Sequence, residues 1–344
     1  MKPPTLGLDG LKFLTDETGM FQHSKYTTVD RKEGYTTDDN ARALIAALRH
    51  HRIYNERESL ELAETYLTFL YHMQMEDGRF HNLLGYDRRF KDEVGSEDCM
   101  GRALWACGYT LISDAPEGMR LLAREIIDRG LPQSRAFTSP RAWAFTVLGL
   151  RHYHEADPDD ANILYNMEEF ADSLVNLYRE EADDDWRWFE PYLTYSNARL
   201  PQALFSAYES AKEKSYLEVA ESALKFLIEG QMVEGCFVPI GSDGWFFKRG
   251  QRALYDQQPI EAACMVDAAL AAWRITGEEP YRDAAQTAFD WYHGRNLKGA
   301  VLYNPETGTC YDGITPEGLN QNQGAEATLS YHLAHLAMRK NGLA

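Results

Sequence analysis

Apolar residues recur three or four positions apart through nearly the whole chain of 344 residues, which is the spacing of amphipathic helices. Strand-like alternation of apolar and polar residues is confined to short segments between these stretches. Together with helix start and stop signals, the pattern predicts helix ends to within about 2–4 residues. Twelve helices are predicted, at about 6–16, 36–53, 57–75, 97–112, 116–129, 140–155, 160–181, 198–213, 216–231, 258–275, 279–294 and 324–341.

The connections between these helices alternate between short and long. The segments "YNERES", "SDAPEG", "EADPDD" and "TGEEP" are short, whereas the connections before the second, fourth, eighth, tenth and twelfth helices are longer and rich in aromatic residues. Three of the long connections open with a glycine, one residue, and then Phe21, Phe80 or Phe237. A helical hairpin is therefore repeated along the chain.

Each long connection leads to a helix with a polar first turn and a small, apolar body, as in "TTDDNARALIAAL", "SEDCMGRALWACG" and "NQGAEATLSYHLAHLA". The other helices carry charges on one face and large apolar residues on the other, as expected of an outer layer. Six inner and six outer helices predict an all-α fold, a closed α/α toroid in which the first helix completes the ring beside the last. An open solenoid is the alternative, but it would have short turns on both sides.

The segments "GYTTDDNARAL", "GSEDCMGRAL" and "NQGAEATLSY" carry a family resemblance. The chain resembles the (α/α)6-barrel superfamily of six-hairpin glycosidases and sugar epimerases, and in particular a poorly characterised (α/α)6 domain associated with glycosyltransferase modules. The resemblance implies one (α/α)6-barrel domain over residues 1–344, with long loops and short β-hairpins at one end. It also implies a carbohydrate substrate, inverting chemistry and a glycosyltransferase as a partner.

In such a ring the inner helices run parallel, so that their first turns and the long loops meet at one end, here called the mouth. Small residues of the inner helices are expected to close the far end. The residues predicted to lie at the mouth are Asp38, Asp39, Glu97, Asp98, Arg141, Trp143, Trp188, Glu190, Tyr192, Asp256, Gln258, Glu261, Gln323 and Glu326.

Glycoside hydrolysis needs two carboxyl groups, and an inverting enzyme holds them about 6.5–9.5 Å apart. Adjacent helical residues point about 100° apart, so only one residue of each acidic pair can face a substrate while the other caps its helix. Asp39 and Asp98 are predicted as the acid and base, because they lie four and three residues before Ala43 and Gly101. Glu190, in an aromatic loop, is the rival catalytic residue.

Further side chains at the mouth are predicted to bind the sugar, either by hydrogen bonds to its hydroxyl groups or by stacking of aromatic rings on its C–H faces. These residues are Asp38, Glu97, His81, Tyr86, Arg141, Trp143, Trp188, Tyr192, Trp245, Gln258, Glu261, Gln323 and Glu326.

Composition narrows the functional classes. The 53 acidic and 35 basic residues give a net charge of −18, which disfavours nucleic acid and, at an acidic mouth, anionic sugars. No apolar run reaches the roughly 20 residues that span a membrane, and the start of the chain lacks an apolar signal core, so a cytoplasmic protein is predicted. The five cysteines, odd in number and far apart, are predicted to be reduced. No metal-binding motif is present in the sequence, and no cofactor is predicted.

The sequence therefore predicts a glycoside hydrolase that acts on a short, neutral oligosaccharide or glycoside, with inversion. A sugar epimerase of the N-acylglucosamine or cellobiose type is the alternative, but it needs proton-transfer bases, and the inner helices offer mainly His332 and His335. A non-catalytic carbohydrate-binding ring is a third reading. A phosphorylase lacks support, because no Gly-rich phosphate loop is present.

Overall fold

The computed structural model describes residues 6–344, and this part of the chain contains twelve α-helices. They are α1 (Asp9–Phe13), α2 (Thr37–Tyr54), α3 (Arg57–Met73), α4 (Glu97–Leu111), α5 (Glu117–Ser134), α6 (Pro140–Ala156), α7 (Ala161–Glu181), α8 (Arg199–Ala211), α9 (Lys214–Gln231), α10 (Pro259–Thr276), α11 (Glu279–Asp290) and α12 (Ala325–Lys340).

The even-numbered helices form a closed inner ring. Helix α2 contacts α4, and contacts continue through α6, α8, α10 and α12, which packs back on α2. Helices α3, α5, α7, α9 and α11 each pack outside the inner helix that precedes them, and α1 lies beside α12. The predicted toroid of helical hairpins is confirmed, including the position of the first helix.

Twelve short strands lie in the long connections within residues 6–344. They are β1 (Ser24–Lys25), β2 (Thr28–Val29), β3 (Tyr35–Thr36), β4 (Leu83–Leu84), β5 (Tyr192–Leu193), β6 (Met232–Val233), β7 (Cys236–Phe237), β8 (Phe246–Phe247), β9 (Tyr303–Asn304), β10 (Thr309–Cys310), β11 (Gly313–Thr315) and β12 (Gly318–Asn320). All pair antiparallel in twos, β1 with β2, β3 with β4, β5 with β8, β6 with β7, β9 with β10 and β11 with β12. The β3–β4 and β5–β8 pairs tie one long connection to the next around the mouth.

Small residues let the inner helices approach closely. A Cβ added to Gly108 of α4 would lie 2.8 Å from Gly149 Cα on α6, closer than such atoms pack. A Cβ on Gly101 would lie 3.2 Å from Ala142 Cα. The backbones of α4 and α6 therefore touch where these glycines face each other, as the glycine and alanine content of the inner helices predicts.

Large charged side chains, rather than small residues, fill the centre of the ring. Arg199 on α8 and Arg49 on α2 approach from opposite sides, and both donate to Asp267 on α10, at 2.7 and 3.3 Å. The Arg199 guanidinium also lies 4.8 Å from the centre of the buried Trp105 ring. The expectation that small residues close the far end is wrong, because this layer of Arg199, Asp267 and Arg49 separates the mouth from a second cavity below it.

Helix boundaries differ from the prediction mainly at three helices. Helix α1 is only five residues long, and α11 ends at Asp290, before the turn around Gly294. Helix α5 continues to Ser134 although Pro132 lies inside it. Proline here leaves the carbonyl of Asp128 without its helical N–H partner, but α5 ends two residues later, so the disturbance is confined to its last turn. No helix within residues 6–344 is long and apolar enough to cross a membrane.

Candidate functional site

The mouth holds a bridge between α2 and α4 formed by one arginine. Arg102 Nη1 lies 2.7 Å from Asp38 Oδ1 and 3.8 Å from Asp98 Oδ2. Asn82, from the loop before α4, also donates to Asp38 at 3.2 Å. Two carboxylates on neighbouring inner helices are thus brought to one guanidinium, which offsets their mutual repulsion.

A second arginine joins α2 to α12. Arg42 donates to Asp39 at 2.8 Å and to Glu326 at 2.9 Å, and the side chains of Arg42 and Asp39 are both 7% exposed. Burial raises the pKa of Asp39, although Arg42 opposes the effect. The Glu326 carboxylate is more accessible, with 44% of its side chain exposed. Asp39 and Glu326 therefore both lie at the mouth, as predicted. Of these two, only Glu326 presents its carboxylate to solvent.

Asp39 holds the capping residue of α2, Thr36, in place. The Thr36 hydroxyl accepts from the Asp39 backbone N–H at 3.1 Å and donates to the Asp39 carboxylate at 2.7 Å, a reciprocal arrangement that begins α2. Asp38 lies two residues after the N-cap Thr36, as Asp98 lies two residues after the N-cap Ser96. The predicted equivalence of Asp39 and Asp98 is therefore wrong. Asp38 is the counterpart of Asp98, because both occupy the second helical position.

A pocket of about 570 Å³ opens at the mouth between the start of α6 and the loops before α8 and α10. We call it the aromatic pocket, since rings of Tyr192, Tyr195, Trp245 and Phe247 line it. Its polar wall is an ion pair in which Arg141 Nη1 donates to Glu190 Oε2 at 2.8 Å. The β5–β8 pairing opposes Tyr192 and Phe247 and so fixes the aromatic side.

Asp98 joins the α2–α4 bridge to the aromatic pocket. It accepts hydrogen bonds from Ser139 Oγ at 2.8 Å and from the Tyr195 hydroxyl at 2.9 Å, and both donors line the pocket. Burial raises the pKa of Tyr195 to about 12, so its hydroxyl stays protonated as a donor at neutral pH. The Arg141 guanidinium lies 4.7 Å from the Tyr195 ring centre, so Asp98 and Glu190 lie on either side of this stack.

Glu261 is buried behind the pocket wall, 3% exposed. It accepts hydrogen bonds from the backbone N–H of Ser196 and, at 2.9 Å, from the Asn197 side chain. Burial raises its pKa to about 7, although these hydrogen bonds oppose the rise. The residue anchors the turn that presents Tyr195 to Asp98. Its predicted direct contact with a sugar is not supported, because the residue does not line the pocket and both carboxylate oxygens accept hydrogen bonds from the chain.

Two further predictions of sugar contact are wrong because the side chains are core residues. Trp188 is 0% exposed and packs on Phe189 with ring centres 5.0 Å apart. Gln323 is 2% exposed, and its carbonyl accepts from the Thr309 hydroxyl, which fastens the β9–β10 hairpin. Trp143 is half-buried, and its indole N–H donates to the backbone carbonyl of residue 137 at 2.9 Å.

Other predicted binding residues do not line the aromatic pocket themselves. Glu97 accepts from the backbone N–H groups of Thr138 and Ser139 at 2.7 Å each, and so orders the segment before α6. His81 stacks on Phe90 with ring centres 4.0 Å apart.

Tyr86 is 51% exposed in the loop before α4, beside Phe21. Gln258 is the half-buried N-cap residue of α10, and its side chain makes no capping hydrogen bond. Asp256, in the same connection, has φ of 51°.

The sequence reading missed three residues that complete the mouth. Arg102 follows Asp98 by four positions on the same helix face, a spacing that could have identified it. Tyr195 belongs to the same aromatic loop as Trp188 and Tyr192. Asp312, in the loop before α12, accepts from Gly324 N–H at 2.7 Å, and burial raises its pKa.

No family model matches the chain, and no curated protein sequence matches it. Solved structures do. A sugar epimerase from a ruminal bacterium is 12% identical with a TM-score of 0.75, over 97% of this chain and 95% of that chain. Cellobiose 2-epimerase from Bacillus thermoamylovorans is 11% identical with a TM-score of 0.74, over 98% and 95%. A GH76 α-mannanase from Bacteroides thetaiotaomicron is 12% identical with a TM-score of 0.68, over 97% and 94%.

The chain has the (α/α)6-barrel fold that these solved structures share. Both epimerases and glycosidases have this fold, so the barrel alone does not assign a reaction.

The two histidines of α12, His332 and His335, are buried. His332 is 1% exposed, its Nε2 lies 3.0 Å from a backbone carbonyl oxygen, and burial lowers its pKa to about 3. His335 is equally buried, and its pKa is lowered to about 4. Among the described residues, no group of three or more His, Cys, Asp or Glu side chains is placed to hold a metal ion. Among the described residues the mouth presents mainly carboxylates, arginines, hydroxyls and aromatic rings, and its loops add the imidazoles of His81 and His23, the latter near Asp312.

Proposed function

We propose that this chain is a carbohydrate-active enzyme that hydrolyses O-glycosidic bonds, with Asp98 and Glu190 as its catalytic carboxylates. One observation carries the proposal. The aromatic pocket has Glu190 in its wall, and two of its lining hydroxyl groups, on Ser139 and Tyr195, are hydrogen-bonded to Asp98. A sugar bound there would contact Glu190 directly. Asp98 would be separated from it only by the Ser139 or Tyr195 side chain.

The chemistry needs one carboxylic acid to protonate the leaving oxygen and one carboxylate to activate water. Asp98 and Glu190 are separated by the stacked Tyr195 and Arg141 side chains. The proposal takes the reaction to be inverting, in which the two carboxyl groups stand about 6.5–9.5 Å apart with the water between them. Asp39 leaves the catalytic pair in this proposal because its buried carboxylate is bonded to Thr36 and Arg42 and does not line the pocket.

The pocket favours a short, neutral saccharide. Its volume of about 570 Å³ lies within the range of small-molecule sites. The ion pair of Arg141 with Glu190 leaves no free cation in the pocket wall to receive an acidic sugar. Tyr192, Trp245 and Phe247 supply the apolar faces on which sugar rings stack.

Epimerisation is less well supported than hydrolysis. Epimerases of sugars move a proton at carbon, and the α12 histidines that the sequence offers for this step, His332 and His335, are buried. Because sugar epimerases and an isomerase have the same fold, the assay must detect interconversion of sugars as well as cleavage of glycosidic bonds.

The test is a screen of purified protein against α- and β-linked disaccharides and trisaccharides, with and without phosphate, followed by chromatography of the products. We expect phosphate-independent release of sugar. Asp98→Asn and Glu190→Gln should each lower kcat by about 10²–10⁴-fold, the usual contribution of one general acid or base.

Two comparison variants sharpen the assignment. Glu306→Gln changes an exposed carboxylate remote from the pocket and should retain full activity. Asp38→Asn leaves Glu190 unchanged and tests whether Asp38, which shares Arg102 with Asp98, is the second catalytic carboxylate. A large loss in Asp38→Asn with none in Glu190→Gln would reject the proposed pair in favour of the two acids that share Arg102.

A further inference from the structure

A second cavity, of about 600 Å³, lies at the end of the barrel opposite the mouth. We call it the C-terminal cavity, because the last turns of the inner helices form its wall. All six inner helices contribute, through Arg49 and Arg52 of α2, Tyr109 of α4, Arg151 of α6, Glu209 of α8, Arg274 of α10 and Lys340 of α12. The cavity is as large as the aromatic pocket, and the proposed hydrolysis makes no use of it.

The C-terminal cavity carries an excess of positive charge in a chain whose net charge is −18. Its basic residues are Arg49, Arg52, Arg151, Arg274 and Lys340, and its acidic residues are Glu155, Glu209 and Asp267. Asp267 is already shared with Arg199, which donates to it from the mouth side at 2.7 Å. The cavity therefore contains more cations than its own carboxylates can balance.

Two of these cations have no acidic partner. Arg274 forms a bidentate pair with Glu209 at 2.9 and 3.0 Å, and Arg151 pairs with Glu155. Within residues 6–344, Arg52 and Lys340 form no ion pair and donate no hydrogen bond through their side chains. Burial lowers the pKa of Lys340, and the charges of Arg49, Arg52, Arg274 and Arg151 lower it further. Like charges that converge without counter-charges point to a missing anion.

Helix C-termini attract cations, and this provides a competing explanation. Arg52, Arg274 and Lys340 lie in the last turns of their helices, where the helix dipole favours basic residues. The dipole stabilises each helix separately, whichever way the basic side chain at its end points. It does not account for basic side chains from four different inner helices turned into one cavity, two of them without bonds to helix carbonyls.

The uncharged residues of the C-terminal cavity can contact the organic part of an anionic ligand. Ser206 and Gln202 offer a hydroxyl and an amide group, and Tyr109 offers an aromatic face. Burial lowers the pKa of His152 to about 4, so its imidazole is neutral and adds no further charge. We propose that the C-terminal cavity binds a small organic phosphate, with the phosphate group held between Arg52 and Lys340 and the organic part against Tyr109, Gln202 and Ser206.

Calorimetric titration of the full chain tests this proposal, with glucose 6-phosphate as the probe and with inorganic phosphate and glucose for comparison. Glucose 6-phosphate should bind saturably and more weakly as salt increases. Glucose should not bind. Inorganic phosphate should bind more weakly than the probe, and equal affinity would overturn the assignment of an organic phosphate. No saturable binding of the probe would overturn the proposal altogether.

The variant Arg52→Gln/Lys340→Gln removes both unpaired charges from side chains at the surface. It should weaken the Kd of the probe at least about tenfold, since hydrogen bonds to charged groups are the stronger ones. Lys214→Gln is the matched control, because Lys214 is an exposed lysine at the first residue of α9, outside the cavity. Equal affinities of the double variant and this control would reject the site.

A measurement without ligand gives an independent test. If Lys340 is repelled by its neighbours, Lys340→Gln should raise Tm in the absence of phosphate, and Lys32→Gln, at an exposed loop position outside the cavity, should leave Tm unchanged. A fall in Tm for Lys340→Gln would show that the chain itself balances this charge, and would contradict the proposal.

Discussion

Glu261 gives a stability prediction whose size follows from the structure. Its carboxylate is 3% exposed, and burial raises its pKa from 4.5 to about 7. The folded state therefore binds this proton more tightly than the unfolded state. Its stabilising contribution is fully present below pH 4.5 and is lost as the pH rises through about 7. The full loss corresponds to about 3 kcal/mol of unfolding free energy.

The perturbation is Glu261→Gln, which keeps the shape and removes the titration. The amide retains one acceptor oxygen for two donors, Ser196 N–H and the Asn197 side chain, so the variant should be less stable at acidic pH by about 1–3 kcal/mol. Its stability should then decline less than that of the wild type between pH 4.5 and 8.

Urea unfolding at a series of pH values measures both quantities. The wild-type free energy of unfolding should fall by about 3 kcal/mol more than that of Glu261→Gln across this interval. Glu317→Gln, at an exposed position, should follow the wild-type curve. Parallel pH profiles for wild type and Glu261→Gln would refute the reasoning that burial holds this proton.

Three further substitutions test the packing and the pocket. Gly108→Ala forces a Cβ to 2.8 Å from Gly149 Cα and should destabilise the barrel by about 1–3 kcal/mol in urea unfolding, with an unchanged value refuting the close contact of α4 and α6. Arg42→Met leaves Asp39 buried without its ion pair and should cost about 3–5 kcal/mol by the same assay, whereas a cost below 1 kcal/mol, the range of surface pairs, would mean that the pair is solvated. Trp245→Ala removes a pocket wall and should raise KM with little change in kcat on any substrate that the screen identifies, so an unaltered KM would exclude stacking on this ring.

The helical ring was predictable because its signals are local and repeated. Apolar spacing, small residues in the inner helices and alternate long connections each recur along the chain, so an error at one helix does not change the architecture. The misplaced end of α5 shows the limit of such signals, since Pro132 predicts a stop but the helix continues two residues beyond it.

The assignments at the mouth were less predictable because they depend on the partner of each side chain. Asp38 and Asp39 are adjacent and identical in type, and only the Thr36 hydroxyl and the two arginines distinguish their roles. Trp188 illustrates the same limit, since an aromatic residue in a loop can face a ligand or the core. Burial in this chain depends on contacts from helices far away in sequence.

The central claim is hydrolysis at Asp98 and Glu190, and mass spectrometry of products formed in D₂O tests it most directly. With the best substrate from the disaccharide and trisaccharide screen, the account predicts shortened saccharides that carry no carbon-bound deuterium, and their absence in Asp98→Asn and Glu190→Gln. Unshortened saccharides with one deuterium fixed on carbon would show proton transfer at carbon, and would contradict the account in favour of epimerisation.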